Sequence, residues 1–122
     1  MNKGVYVVEL NNGSYYVGQS MNIQKRISLH KKGGGSTFVK NSGGIKNILK
    51  PIIAEMEDLN KWELKETLLR MYIHGVNNVR GFCYSQTLIY SNKLVNKIIK
   101  RIKTDIEYEI LQKYEMYNND KL

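Results

Sequence analysis

The chain has 122 residues, of which 42% are hydrophobic and 25% charged, so its length and composition suit one globular domain with one modest core. No apolar run approaches the roughly 18 residues that a membrane-spanning helix needs, so no membrane partner is expected. Cys83 is the only cysteine, which excludes an internal disulfide and favours a reducing, cytoplasmic compartment.

The chain is strongly basic, with a formal net charge of +8 and a pI near 9.5. A domain this basic attracts polyanions through long-range Coulomb forces. The charge therefore favours nucleic acid as the partner, ahead of a membrane surface and of lysines that only keep the protein soluble. Charge does not distinguish a binding protein from an enzyme.

The first elements predict a β-hairpin, with strands over residues 3–10 and 14–18 and a turn between them. A two-residue Asn12-Gly13 loop would place Tyr6 and Tyr16 on opposite faces of the hairpin. A three-residue loop that ends with Gly13 in a left-handed bulge position would place both on one face. We predict the three-residue loop.

A first helix is predicted to follow, with Asn22 as its N-cap and Ser20 as the alternative cap. This helix carries Arg26 and His30, which are four residues apart and therefore lie on one face. It ends near Lys31-Lys32.

The next segment is poorly patterned. Gly33-Gly34-Gly35-Ser36 must be a loop, because three glycines lose too much backbone entropy inside a helix or strand. Residues 39–50 give no clear signal. Residues 51–56 are predicted to form a third strand, with Pro51 at its start, where a missing backbone donor is tolerated.

Two more helices are predicted. One runs from Lys61 to His74, capped by Asn60 or Asp58, and a loop over residues 76–81 follows it. From about Ser91 a long amphipathic helix has a lysine-rich face and an apolar face. The apolar residues are Leu94, Val95, Ile98, Ile99, Ile102 and Ile106.

Together these elements predict an α+β fold, with a small three-stranded antiparallel sheet flanked by helices. The predicted organisation is a single domain over residues 1–122, with a core over residues 1–85 and a helical extension over residues 86–122.

The order of several motifs resembles that of the GIY-YIG nuclease family. The two triplets of the family appear here with Val in place of Ile, as Gly4-Val5-Tyr6 and Tyr16-Val17-Gly18. They are followed by Asn22, Arg26 and His30. Farther on, the resemblance to a subgroup with a VRG motif is carried by Trp62-Glu63, Thr67, Met71, Gly75 and Val79-Arg80-Gly81. Either triplet alone is a weak signal, whereas the ordered set over residues 3 to about 85 is specific.

This resemblance implies a domain that cuts nucleic acid, usually DNA, with Mg²⁺ or Mn²⁺ as cofactor. It implies that Tyr6 is the general base, with His30 sharing the proton transfer, and that Tyr16 orients the phosphate or the water. It also implies that Arg26 is catalytic and that Glu63 is both catalytic and the metal ligand.

The chemistry of phosphodiester cleavage supports the same residues independently. The reaction needs an activated water, relief of charge on the phosphate and a stabilised leaving oxygen. Mg²⁺ is often held by only one or two carboxylates, so one glutamate suffices. Arg26 could donate two parallel hydrogen bonds to two phosphate oxygens, which a lysine does not do with the same geometry.

Each candidate also has a structural interpretation. Taken singly, Tyr6 and Tyr16 would be half-buried sheet residues, and Arg26 and His30 would belong to a solvated basic helix face.

The assignment of Glu63 as the metal ligand has two alternatives, a structural role for Glu63 itself and another residue as the ligand. Glu63 lies three residues after Asn60 and would complete a capping box. Glu66, one turn later, is a second candidate for the metal ligand, and we prefer Glu63.

Nucleic-acid contacts are predicted for Lys31, Lys32 and Lys40, around a glycine loop whose amides would clasp phosphates. The alternative is a flexible loop with solubilising lysines. Arg80 either binds substrate or stabilises the fold, and we prefer the structural role. His74 is predicted to be a C-terminal helix residue favoured by the helix dipole, not a ligand.

The sequence therefore predicts a divalent-metal-dependent endonuclease that acts as a monomer or homodimer. One alternative is a catalytically inactive nucleic-acid-binding module of the same fold. The other is an interaction protein whose C-terminal apolar stripe recruits a partner.

Overall fold

The computed structural model describes residues 2–49 and 51–105. The strands are β1 (Gly4–Leu10), β2 (Tyr15–Ser20), β3 (Ile45–Ile48), β4 (Ile52–Ile53) and β5 (Val79–Gly81). The helices are α1 (Ile23–Lys31), α2 (Thr37–Asn41), α3 (Leu59–His74) and α4 (Asn92–Asp105), and short 3₁₀ turns cover Met56–Asp58 and Val76–Asn78. The α+β class is confirmed.

The sheet is mixed, so the prediction of three antiparallel strands is wrong. It has five strands in the order β3-β1-β2-β5, and β4 also pairs with β1. β5 runs parallel to β2, and the other pairs are antiparallel. A strand as short as β5 has no periodicity to distinguish it from a loop, and β3 is an edge strand with mostly exposed residues. The predicted strand over residues 51–56 shrinks to β4.

The hairpin of β1 and β2 has the predicted three-residue loop. Tyr6 pairs with Gly18 and Val8 pairs with Tyr16. The amide of Gly13, a residue with φ of +88°, donates to the carbonyl of Leu10 at 3.0 Å, as expected for a bulge position. Tyr6 and Tyr16 therefore project from the same face of the sheet, and this prediction is confirmed.

The alternation of side chains along β1 separates two layers of helices. Tyr6 and Val8 pack with apolar residues of α1 and α2, while Val5 and Val7 pack with α3 and α4. The sheet thus lies between two helical layers, and the face that carries both tyrosines is covered by α1 and α2.

The C-terminal helix is part of the core. Ile98 and Ile102 of α4 are buried in the same cluster as residues of β1 and α3. This packing contradicts the alternative in which the apolar stripe is left free for a partner. Ile106 lies outside the described residues, and the single-domain division of residues 1–122 stays a prediction. Among the residues that the structure describes, no helix combines the length and apolar character that crossing a membrane requires.

Helix caps agree only partly with the sequence signals. Asn22 is the N-cap of α1, because its side chain accepts a hydrogen bond from the amide of Lys25 at 3.2 Å. Asp58 stands at the cap position of α3 but makes no capping hydrogen bond. Asn60 lies inside α3, and its side chain accepts a hydrogen bond from Gln19, so the alternative in which Asn60 and Glu63 form a capping box is excluded.

Gly18 makes room for the ring of Tyr6. These residues face each other across the hairpin, and a Cβ atom at position 18 would overlap the phenol of Tyr6. Since Tyr6 is 1% exposed, its ring has little room to move aside. The glycine of the second triplet is therefore required by packing.

We expect Gly18→Ala to destabilise the protein by about 1–3 kcal/mol, because it overpacks a filled site. The measurement is urea unfolding, with Gly34→Ala as the control, since a Cβ there mainly meets the end of the exposed Leu29 side chain. Equal stability of the two variants would contradict this account of Gly18.

Candidate active site

Three aromatic rings form a cluster between β1, β2 and α1. The phenol oxygen of Tyr6 is hydrogen-bonded to Nε2 of His30 at 2.9 Å, and both groups are buried. The ring of Tyr16 lies 6.3 Å from that of Tyr6 and 5.6 Å from that of His30, measured between centroids. The two predicted tyrosines and the predicted histidine are thus brought together.

A glycine also makes room for the imidazole. Gly35 has φ of +77°, and a Cβ there would lie 2.7 Å from Nδ1 and Cε1 of His30. The backbone of Gly34 also contacts this imidazole and raises its pKa, against the effect of burial. The glycine loop therefore has a role that the sequence did not reveal, which is to cover the back of the histidine ring.

Burial is the main influence on the titration of the cluster. It raises the pKa of Tyr6 and of Tyr16, and the negative charge of Glu63 acts in the same direction on both phenols. Arg26 opposes this shift and lowers the pKa of Tyr6 through its charge and a hydrogen bond. Burial and the Arg26 charge lower the pKa of His30. At neutral pH the phenols are therefore protonated and the imidazole is neutral.

Glu63 is held by two donors from outside its helix. The amide of Phe82 donates to Oε1 at 3.1 Å, and the side chain of Gln19 donates to Oε2 at 2.5 Å. Burial raises the pKa of Glu63, while these two hydrogen bonds lower it. The carboxylate is thus oriented by the end of β2 and by the turn after β5.

Glu66 is engaged elsewhere. It is buried, and its Oε1 accepts from Nε of Arg70 at 2.8 Å within α3. Of the two glutamates, only Glu63 is among the charges that shift the pKa of the phenols. The geometry therefore favours Glu63 over Glu66 as the acidic member of the site.

A divalent cation fits this donor set. Within residues 2–49 and 51–105, no three His, Cys, Asp or Glu side chains are close enough together to hold a metal. One fixed, buried carboxylate beside two phenols suits Mg²⁺ or Mn²⁺, which keep several waters and need few protein ligands.

The basic residues are distributed on both sides of α1. Arg26 is exposed and lines a groove of about 570 Å³ together with Lys25 and Lys32. Lys31 lines a second groove whose wall includes Tyr6. Lys40 is exposed at the end of α2. The contacts of Lys31, Lys32 and Lys40 with nucleic acid stay predictions.

Two amides of the glycine loop are not free to clasp phosphates. The amide of Gly33 donates to the carbonyl of His30 at 3.0 Å, and the amide of Gly34 donates to that of Leu29 at 2.9 Å. Both bonds satisfy carbonyls at the end of α1. For Gly33 and Gly34, the predicted amide clasp is therefore wrong.

Arg80 has the structural role that we preferred. It is 1% exposed, and its guanidinium donates to the carbonyls of Asn77, Val79, Gln86 and Leu88 at 2.7–3.0 Å. The guanidinium also lies 3.9 Å from the ring centroid of Tyr90. A group enclosed in this way is not available to a substrate.

His74 ends α3 as predicted, but the dipole argument for it is wrong. Its ring stacks on Tyr15 with centroids 3.7 Å apart. Burial, followed by the charge of Arg70, lowers the pKa of His74 to about 4. The ring is therefore neutral at pH 7 and gains nothing from a negative helix end.

Four residues that support the site were not predicted from the sequence. Gln19 and Phe82 hold Glu63, Ser36 hydrogen-bonds Tyr16, and Lys25 lines the groove with Arg26. Lys25 was detectable, since it directly precedes Arg26 in a basic helix. Phe82 contributes its backbone amide, and no pattern of side chains in the sequence predicts such a donor.

A comparison with protein families identifies the class of this domain. A family model described as the GIY-YIG catalytic domain matches residues 2–69, which include the hairpin, α1 and Glu63. Because the match covers more than half of the chain, the chain belongs to the GIY-YIG family, whose catalytic domains are of the nuclease type. The resemblance stated from the motifs is confirmed.

Among individual proteins, the chain is similar to the UPF0213 protein BH0048 of Halalkalibacterium halodurans. The two are 29% identical over 88 residues, which is 71% of this chain and 94% of the relative. No solved structure matches the chain.

Replacement of Arg80 tests whether this residue serves the fold or the substrate. Arg80→Lys keeps the charge but cannot serve all the carbonyls, so we expect a loss of about 2 kcal/mol or more in the free energy of unfolding. Arg26→Lys, at an exposed position, is the control and should cost less than about 1 kcal/mol. Unchanged stability of Arg80→Lys with weakened nucleic-acid binding would assign Arg80 to the substrate.

Replacement of His74 tests the half-buried, neutral state of its ring. An unfolded histidine titrates near 6.5, and His74 in the fold titrates near 4. Between these values the unfolded chain binds more protons, so the free energy of unfolding falls as the pH is lowered. His74→Phe keeps the stacking on Tyr15 and should lose less stability than wild type from pH 6.5 to 4.5. Parallel pH profiles of the two proteins would exclude the shift.

Proposed function

We propose that the protein is a divalent-metal-dependent endonuclease that hydrolyses phosphodiester bonds of nucleic acid, with DNA as the expected substrate. The observation that supports this most directly is the Tyr6–His30 hydrogen bond. It lies in a cluster where the charge of Glu63 raises the pKa of both phenols. This arrangement supports a site in which acidic, basic and proton-transferring groups act together.

Glu63 is the residue proposed to hold the cation, Mg²⁺ or Mn²⁺. When bound, the cation supplies positive charge that stabilises the anionic transition state and makes a water easier to deprotonate. Gln19 and Phe82 fix both carboxylate oxygens, so the orientation of this ligand is set before the cation arrives.

Tyr6 and His30 are proposed to move the proton together. The phenol is protonated at neutral pH, because burial raises its pKa, so it is a poor base by itself. His30 is neutral, with Nε2 2.9 Å from the phenol oxygen. As Tyr6 accepts a proton from the attacking water, it can pass its own proton to Nε2, and no buried phenolate needs to form first.

The remaining groups would bind the phosphate. Arg26 reaches the Tyr6 phenol from the exposed side of α1 and would fork onto the scissile phosphate. Tyr16 would orient the phosphate or the water. Lys25, Lys31 and Lys32 would contact neighbouring phosphates along the two grooves that flank α1. A monomer with one such site would cut one strand, and a homodimer would cut both.

The alternative is an inactive nucleic-acid-binding module of the same fold. An inert module has no need for a buried, oriented carboxylate next to a phenol–imidazole pair. The presence of all five groups favours the enzyme.

Glu63→Gln and Glu66→Gln form a matched pair that tests the metal ligand. Both remove one negative charge from α3 and keep a side chain of nearly the same size and shape. We expect Glu63→Gln to slow Mg²⁺-dependent cleavage of labelled DNA by at least about a thousandfold, roughly 4 kcal/mol in activation free energy. Glu66→Gln should stay within about tenfold of wild type.

Binding of the same DNA in EDTA is the control for folding and should survive both changes. Equal loss of cleavage in the two variants would remove Glu63 from its special role. Binding by wild type without cleavage in Mg²⁺ or Mn²⁺ would favour the inactive module.

A further inference from the structure

Two large aliphatic side chains stand exposed at the tip of the loop between β5 and α4. Leu88 and Ile89 are neighbours in the chain, and each is 77% exposed. Apolar residues that contact only water gain nothing from the hydrophobic effect, so an exposed pair on an ordered loop suggests a binding role. We call residues 88–89 the apolar tip.

The backbone behind the apolar tip is fixed by buried groups. Arg80 donates to the carbonyls of Gln86 at 2.7 Å and Leu88 at 2.9 Å. The side chain of Gln86 donates to the carbonyls of Leu88 at 3.1 Å and Ile89 at 3.3 Å. The amide of Tyr90 is bound by the side chain of Asn77 at 2.7 Å. The loop is therefore held in one shape while its two aliphatic side chains remain outside.

The apolar tip is anchored on the sheet face that carries the candidate active site. Arg80 is the register partner of Tyr16 in the parallel pair β2–β5, so both side chains project from the same face. The Arg80 guanidinium also lies 4.9 Å from the ring centroid of Phe38 in α2. A nucleic acid bound at the tyrosines would therefore run close to this loop.

The charge around the apolar tip indicates the kind of partner. No acidic residue occurs in residues 67–104, which hold the basic residues Arg70, Arg80, Lys93, Lys97, Lys100, Arg101 and Lys103. Lys93 and Lys97, in the first turns of α4, are exposed shortly after the tip. An apolar pair beside exposed lysines suits a partner that combines stacked, apolar rings with a negatively charged backbone, as nucleic acid does.

We propose that Leu88 and Ile89 form a wedge that enters a base step of duplex DNA from the minor groove beside the cleavage site. This inference rests on the proposed function and adds to it that the substrate is a duplex that becomes unstacked at one step. Aliphatic wedges on rigid supports unstack and kink DNA in this way, and basic neighbours hold the flanking phosphates. A rigid backbone suits this task, because a flexible tip would move aside instead of separating the bases.

The experiment measures base unstacking without cleavage. A set of duplexes carries 2-aminopurine at successive positions, and each is mixed with the protein in EDTA. The fluorescence of this base rises when it loses its stacked neighbours. The test variant is Leu88→Ser combined with Ile89→Ser, and Thr87→Ala, an exposed neighbour, is the control.

We expect wild type and Thr87→Ala to raise the fluorescence at one or two positions, and the double variant to lose this rise. The double variant should still bind, with a Kd no more than about tenfold weaker, because the lysines supply most of the attraction. Its urea unfolding should match wild type, since both side chains are exposed.

Three results would overturn the wedge and leave the proposed function standing. Wild-type binding without any fluorescence rise would mean that the duplex is held only by its phosphates. An undiminished rise in the double variant would place the unstacking elsewhere. A lower unfolding free energy of the double variant without DNA would mean that another part of this chain covers the tip. Absence of all DNA binding by wild type would instead refute the proposed function itself, and the wedge with it.

Discussion

The register of the β1–β2 hairpin is the constraint on which the rest of the candidate site depends. Side chains alternate along a strand, so a shift of one residue would turn Tyr16 toward α3 and separate it from Tyr6 and His30. Gly13 fixes the register by adopting a left-handed backbone conformation at the end of a three-residue loop. Gly18 then leaves the space that the ring of Tyr6 occupies. The placement of both tyrosine rings thus depends on Gly13 and Gly18.

The acidic group reaches the cluster by a different route. Glu63 belongs to α3, the helix on the other side of the sheet, yet its charge acts on both phenols. Its carboxylate is fixed by the end of β2 through Gln19 and by the turn after β5 through Phe82. Phe82 is the one described non-glycine residue with a positive φ, and backbone strain of this kind persists where the surrounding structure enforces it. The residue with this strained backbone is also the one whose amide donates to Oε1 of Glu63.

The sequence predicted the parts of the fold that have a strong local signal. The Asn22 cap and the approximate extent of α1, α3 and α4 follow from capping residues and apolar periodicity, and the ordered motifs identified the family. The three-residue loop was predicted correctly, although Asn12-Gly13 suits a two-residue loop equally well. The short parallel strand β5 and the edge strand β3 have no such signal, because pairing with β1 and β2 creates them. The capping-box interpretation of Glu63 failed because a helix start is set by tertiary contacts as well as by spacing. Gln19 and Phe82 could not be predicted, because their hydrogen bonds to Glu63 form only once the chain is folded.

The proposed site requires that five side chains surround one divalent cation and one phosphate: Tyr6, Tyr16, Arg26, His30 and Glu63. The most direct test is a crystal structure with Mn²⁺ and an uncleavable phosphorothioate duplex, with the cation located by anomalous diffraction. We expect a single manganese ion about 2.1 Å from a carboxylate oxygen of Glu63, with the scissile phosphate between Arg26 and the two phenols. Manganese bound only at other carboxylates, or a phosphate bound away from the tyrosines, would contradict it.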